Sequence, residues 1–509
     1  MSKLRAMIEG VFAVDPAADE LEFDKVWQTW GDLAAQMHGL DAALTGAGLG
    51  AGARVGVILR NRPQMAPVLA CLFSTGRCLA TLNGNAPDDY LAADVRKVEA
   101  PVLLGLAEDW ARPGVRAAAQ ETGAVGLELT GDPEAPVRKV EDVPGDRARW
   151  TRPSAPDVAI EMLTSGTTGA PKRIPLASAK FEKALLSAAA YEKGRDEDAA
   201  PRLRGGVTIV FAPLAHIAGV TGIMNNLLAG RKICLVDKFS VEAFRDAVAR
   251  HRPKVVTAPP AALRMIMDAD IPKEDLSSLV AYRTGTAPLD PRLADAFYER
   301  YGVPVLQNYG ATEFAGGAAG WSLDDFKAHW KAKWGSVGRL NRGVEARAVD
   351  PETGDPRPPG EEGLLEIRGP NVGDGKTYVR TTDIAVVDAD GFLFIKGRFD
   401  GAIIRGGFKI MPDDVVNALQ QHPSIREAGV TGVADRRLGQ APVAAYILKS
   451  GAAAPTEQEL KTFLRGLLLP YQVPMKLLQV DELPRTPSLK VSQPGLQALF
   501  EALGDEAEA

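Results

Sequence analysis

The chain has 509 residues, 59 Lys+Arg against 65 Asp+Glu for a formal net charge of −6, and 46% hydrophobic and 24% charged residues. At ~100–200 residues per domain this is a globular chain of roughly two to four folding units, which excludes a single small module. A slightly acidic balance supplies no basic stripe for a nucleic acid or an anionic membrane, so neither is expected as a partner.

The N-terminal residues meet Asp and Glu before any long apolar stretch, and the longest apolar run, 65–73, is far below the ~18 residues needed to span a bilayer. No membrane span and a cytoplasmic location are therefore expected. The three cysteines, Cys71, Cys78 and Cys234, are odd in number, lack CxxC spacing and lie in apolar runs, so they read as reduced core residues. Residues 46–51 fit a GxGxxA pattern but precede the strand predicted at 54–59 instead of following one, and so read as a loop.

Short β-branched runs at 207–214, 232–236, 255–258, 279–283 and 303–307 alternate with helical spacing. Ser240 is placed to cap a helix over Val241–His251, and Asp290 followed by Pro291 to open one over 293–301. Such alternation predicts α/β layers with largely parallel strands. Past residue 340 the texture changes to short strands and tight turns, with 384–387 and 392–395 flanking an Asp-Gly hairpin turn. The fold class read from this order is α/β: a large N-terminal domain over 1–399, with a β-rich subdomain at about 335–399, then a small mobile α+β domain over 400–509. The final residues, GDEAEA, have little to bury and are expected to fray.

The strongest chemical signal follows the apolar run 158–163: Thr164, Ser165, Gly166, Thr167, Thr168, Gly169, Ala170, Pro171, Lys172. Glycines let the backbone approach a ligand, successive N–H groups and hydroxyls can donate to phosphate oxygens, and Lys172 adds a positive charge. The GxxxxGK[ST] spacing of the Walker loop is absent. Composition alone would favour a flexible surface loop here.

The order of motifs resembles the acyl-adenylate-forming superfamily of acyl-CoA synthetases, peptide-synthetase adenylation domains and beetle luciferases. RVGVILRNR (54–62), TSGTTGAPK, NYGATE (308–313), KWGSVGR (333–339), TTD (381–383), GRFD (397–400), RGGFKI (405–410) and LPRTPSLK (483–490) follow one another as in that family. The resemblance implies ATP-dependent activation of a carboxylic acid to an acyl-adenylate, pyrophosphate release, and thioester formation with CoA, with ATP, Mg²⁺ and CoA required. It implies Glu313 as the Mg²⁺ ligand, Thr312 on the α-phosphate, and Asn308, Tyr309 and Gly310 at the nucleotide, Tyr309 stacking on adenine. Gly285, Thr286, Ala287 and Pro288 would wall the other side of the base. Asp383 would accept from the ribose hydroxyls, with Arg398 donating nearby. His216 would lie near the carboxylate and thiol route, and Lys490 would bridge the attacking carboxylate and the nucleotide. A hinge at Asp400 would then swing the small domain so that Gly406 and Gly407 admit the pantetheine arm.

Arg173, Gly401 and Leu489 depart from the family's usual Gly, acidic residue and Gly, and the connection 372–381 is short. Small side chains at 315–321 leave room for an aryl or medium to long acyl group, and the lack of an Asp to pair an α-amine disfavours amino acids. Two other functions stay open at this level: a standalone enzyme loading a carrier-protein pantetheine, and a non-catalytic nucleotide-binding relative. A homodimer is also left open.

Overall fold

The computed structural model describes residues 3–164, 172–190, 200–311, 314, 316–370, 372–399, 401–405, 408–435, 438–486 and 489–508. Among the described residues the strands form four sheets. The first runs in the order Val137–Pro144, Val125–Leu129, Val102–Gly105, Arg54–Leu59, Cys78–Asn83, Val158–Thr164, Lys172–Ala177. Its five inner strands are parallel and its two edge strands antiparallel. Arg54–Leu59 is buried at every position, as a central parallel strand covered on both faces must be. The strand Lys172–Ala177 hairpins back on Val158–Thr164, pairing Thr164 with Lys172 across the mouth of the Ser/Thr/Gly-rich segment.

The second sheet carries the site. Arg204–Val210, Val255–Thr257, Ala281–Thr284 and Val305–Ala311 lie side by side in parallel, so their C-terminal ends open on one edge. Ligands of open α/β sheets bind at such edges, because the loops leave the strands there. The expected strand 207–214 is shifted: it spans Arg204–Val210, since Pro213 has no N–H for a ladder and the chain turns there, with the His216 N–H donating to Pro213 O at 3.0 Å. The helix Val241–His251 begins where Ser240 accepts from the Ala243 N–H, and Asp290 caps Pro291–Tyr301 through the Arg292 N–H. The core of this half joins Phe244, Ile266, Tyr282 and Phe297 into one apolar cluster.

A four-stranded antiparallel sheet follows, Glu345–Val349, Glu362–Arg368, Val379–Val387 and Leu393–Arg398, with the hairpin turn at Gly391, whose φ is +79°. Residues from Ile403 onward build their own sheet from Ile403–Arg405, Phe408–Ile410, Ile425–Asp435, Gly439–Leu448 and Lys476–Gln479, flanked by the helices Pro412–Leu419, Glu457–Arg465 and Gln493–Glu508. The last of these differs from one expectation: its backbone is helical through Glu508, and Leu496 and Phe500 dock its first turns onto the strand cluster of Val443 and Ala445. The three cysteines are buried and unpaired. No helix among the described residues is long and apolar enough to cross a membrane.

Candidate active site

The site assembles where the second sheet meets the hairpin sheet and the C-terminal unit. In the second sheet, Thr284 pairs with Gln307, which places the Gly285-Thr286-Ala287-Pro288 turn beside Asn308. A Cβ on Gly285 would fall 1.8 Å from Asn308 Oδ1, so only glycine lets these two strand ends touch, and Thr286 takes a φ of +68° to turn the chain away.

Tyr309 is half-buried beside Asn308, and its hydroxyl donates to Asp383 Oδ2. Burial, reinforced by the Asp383 charge, raises the phenol well above its ordinary value, so Tyr309 holds its proton and serves as a fixed donor that orients the carboxylate. Asp383 in turn lies opposite Arg398 in the hairpin register, and Arg398 donates to Thr382 Oγ1 at 2.6 Å. In the TTD motif, Thr381 takes the Asp383 N–H at 3.1 Å and gives its own proton to Leu365 O at 2.9 Å. Motif residues from two sheets thus converge on one corner.

His216 caps no helix with its side chain; it stands at the start of Ile217–Ala229 with its Nε2 buried and without a hydrogen-bond partner. Burial, and then the Lys490 cation, lower its pKa to about 4, so the ring is neutral at pH 7. Lys490 comes from the C-terminal unit. Burial and then the Arg398 cation lower its own pKa. Lys490 thus lies near enough to His216 and to Arg398 for each pair to feel the other's charge.

Several expected site residues lie outside the described residues: Ser165, Gly166, Thr167, Thr168 and Gly169 of the phosphate loop, Thr312, Glu313, Asp400, Gly406 and Gly407. Thr164 and Lys172 are described as backbone only, ending and beginning their paired strands, and Gly310 is on the strand of Tyr309. With Glu313 among the former, the Mg²⁺ assignment stays with the sequence.

Three functional supports were not evident in the sequence. Asn61, just past the strand Arg54–Leu59, donates to Val236 O at 2.9 Å and accepts from the Leu214 N–H at 2.9 Å, pinning the turn that delivers His216. Its only signal was an uncharged amide between two arginines in RVGVILRNR. Arg173, a departure from the resembling family, donates to Thr81 O at 2.8 Å and to both oxygens of buried Asp94 at 2.8 and 2.9 Å, which anchors the strand that starts at Lys172. In KWGSVGR, the Ser336 hydroxyl donates to Leu393 O at 2.9 Å while Trp321 Nε1 donates to Ser336 O at 2.8 Å, so the motif ties the hairpin to the second sheet.

The structure is thus a pair of layered α/β sheets, a hairpin sheet and a C-terminal unit that carries Lys490. The chain matches the AMP-binding enzyme family over residues 9–375 and the AMP-binding enzyme C-terminal domain over residues 415–490, and it belongs to that family. It is 27% identical to a 2-succinylbenzoate–CoA ligase of Bacillus cereus, over 96% of each chain. It is 28% identical to 4-coumarate–CoA ligase 3 of Oryza sativa, over 93% of this chain and 87% of that one. Its fold is like that of ATP-bound MatB from Rhodopseudomonas palustris, with a TM-score of 0.81 at 24% identity over 98% of this chain and 99% of that one.

Proposed function

We propose that this enzyme uses ATP to activate a carboxylic acid as an acyl-adenylate, releasing pyrophosphate, and then passes the acyl group to the thiol of CoA. The observation that carries this reading is the approach of Lys490, from the C-terminal unit, to His216 and Arg398 beside the Tyr309–Asp383 pair. In-line attack of a carboxylate on an α-phosphate brings two anions together, and the barrier falls when fixed donors and cations already face that position. Lys490 is the group that bridges both anions. Tyr309 and Asp383 hold the nucleoside, the 285–288 turn walls the base, the loop 164–172 grips the phosphates with Lys172, and Thr312 and Glu313 serve the α-phosphate and Mg²⁺.

The second half-reaction needs Lys490 withdrawn so that a thiol can reach the same carbonyl. We assign that movement to rotation of 400–509 against 1–399 about Asp400, with Gly406 and Gly407 lining the pantetheine. The reducing state implied by three unpaired cysteines fits a cytoplasmic enzyme. An aryl acid is favoured over a fatty one: Ala318 and Ala319 contribute little bulk beside Tyr309, and the curated relatives named above act on aromatic acids by their names.

The test is ATP–pyrophosphate exchange with benzoic, cinnamic, medium-chain, long-chain and amino acids, followed by thioester formation with CoA. Exchange with an aryl acid and consumption of the adenylate by CoA are expected. Silence across the panel would leave a nucleotide-binding protein without turnover, and consumption only by a phosphopantetheinylated carrier would replace CoA as acceptor. Lys490→Ala should lower exchange at least ~100-fold, as removal of one preorganised electrostatic group does, without weakening nucleotide binding. Because Lys490 is a largely buried cation that also feels the Arg398 charge, the same change should not lower the melting temperature.

A further inference from the structure

Leu489 precedes Lys490 with a φ of +63°, a left-handed conformation that a leucine rarely takes. The described residues beside it are tied together by hydrogen bonds. Thr486 N–H donates to Lys490 O at 2.8 Å, Leu489 N–H to Thr486 O at 2.9 Å, and Arg485 donates to Leu489 O at 3.0 Å while gripping Glu427 of its own sheet at 2.6 and 2.8 Å. Glycine would adopt this turn without strain. The leucine instead sends its side chain out of its own unit, where it packs against the apolar cluster of Phe244, Ile266 and Phe297. It takes no part in either core cluster of the C-terminal unit. A second tie lies one residue from Glu427, where Arg426 pairs with Asp268 at 3.5 Å, so the same edge is held by a charge contact and an apolar one.

We infer that Leu489 is a positioning residue that latches the C-terminal unit in the orientation that delivers Lys490, favouring adenylation at the expense of the thiol-transfer step. Any motion that withdraws Lys490 must pull its neighbour Leu489 off the cluster and into water, which opposes the motion by the apolar area exposed. Leu489 touches no reacting atom; it acts through Lys490 and through the balance of two orientations. The inference rests on the two-step reading above.

The experiment compares the wild type with L489A, L489G and L489M in three measurements. The first is the distance distribution between spin labels on V255C and L469C in the ligand-free protein, positions 37% and 54% exposed, the native cysteines being buried. The second is pyrophosphate exchange, and the third is single-turnover transfer from preformed acyl-adenylate to CoA. For L489A the distribution should broaden and exchange fall about tenfold, the equivalent of one lost apolar contact, while transfer holds or rises. L489G, relieved of the left-handed penalty, should lose less exchange, and L489M should restore both the narrow distribution and the exchange. An unchanged distribution in L489A, or a parallel fall of both half-reactions, overturns the latch. If the wild type exchanges with no acid while the distribution still responds to L489A, the latch stands and the adenylation reading fails.

Discussion

His216 enters the pocket with its ring largely stripped of water and facing the Lys490 cation, and this fixes how it responds to pH. Its folded pKa of about 4 lies below the ordinary histidine value of 6.5. The unfolded chain therefore binds the extra proton first as pH falls, so stability is complete above pH 6.5 and drains away between 6.5 and 4. The loss should reach about 2–3 kcal/mol, allowing for the part of the side chain still in water. His216→Phe should flatten that acid limb in urea unfolding measured from pH 7 to pH 4. Arg173 works by the opposite logic, since its forked donors satisfy a carboxylate that is only 7% exposed. Arg173→Met should cost about 3 kcal/mol by stranding Asp94, and adding Asp94→Leu should recover much of it, a pattern a double-mutant cycle would read directly.

Among the elements, the hairpin that carries Asp383 and Arg398 is aimed at the second sheet by close backbone contact as well as by hydrogen bonds. Gly338 has a φ of +108°, and a Cβ there would sit 2.1 Å from the carbonyl carbon of Gly320. Gly335, three residues earlier, has a φ of +82° but its nearest obstacle, Pro291 Cγ, is 3.8 Å away. Gly335→Ala should thus cost about 1 kcal/mol, the conformational penalty alone. Gly338→Ala should cost about 3 kcal/mol or more and also lower nucleotide affinity, because the hairpin must shift to admit the methyl group. Chemical denaturation together with AMP titration separates the two effects. A motif word can therefore be required by packing while the chemistry sits on the neighbouring strand.

For the molecule as a whole, the junction between the hairpin sheet and the C-terminal unit carries its own charge conflict. Asp413, in the first turn of Pro412–Leu419, lies 3.2 Å from where a Cβ on Gly397 would be, and burial, with Asp414 and Asp383 adding repulsion, lifts its pKa to about 6. The folded state holds this proton more tightly than the unfolded chain, so the associated stability is present below pH 3.8 and is lost as pH rises through about 6. Asp413→Asn should then stabilise the protein by about 2 kcal/mol at pH 7.5 and by almost nothing at pH 4, a discount being taken for the surface Asp413 keeps in water. Thermal melts at the two pH values test the sign. The Asp413 repulsion sits on the hairpin-sheet face of the C-terminal unit, whereas Leu489 packs against the second sheet's cluster.

The sequence by itself determined the layered α/β class, the helices opened by Ser240 and by Asp290-Pro291, the Asp-Gly hairpin, and the order of motifs that marks the family. Each of these is set within a few residues, by periodicity, a side-chain cap or a turn that needs a positive φ. The helical backbone past Leu503 was not legible there, because the polar tail carries no apolar spacing to announce it. Nor was the clamp of Arg173 on Asp94, which joins residues 79 apart in the chain. Tertiary structure alone decided that Tyr309 donates to Asp383 across 74 residues and that the Lys490 charge is felt at His216 from a separate unit. Such contacts depend on how sheets stack, and stacking is fixed by the summed burial of many side chains, which no short stretch of sequence contains.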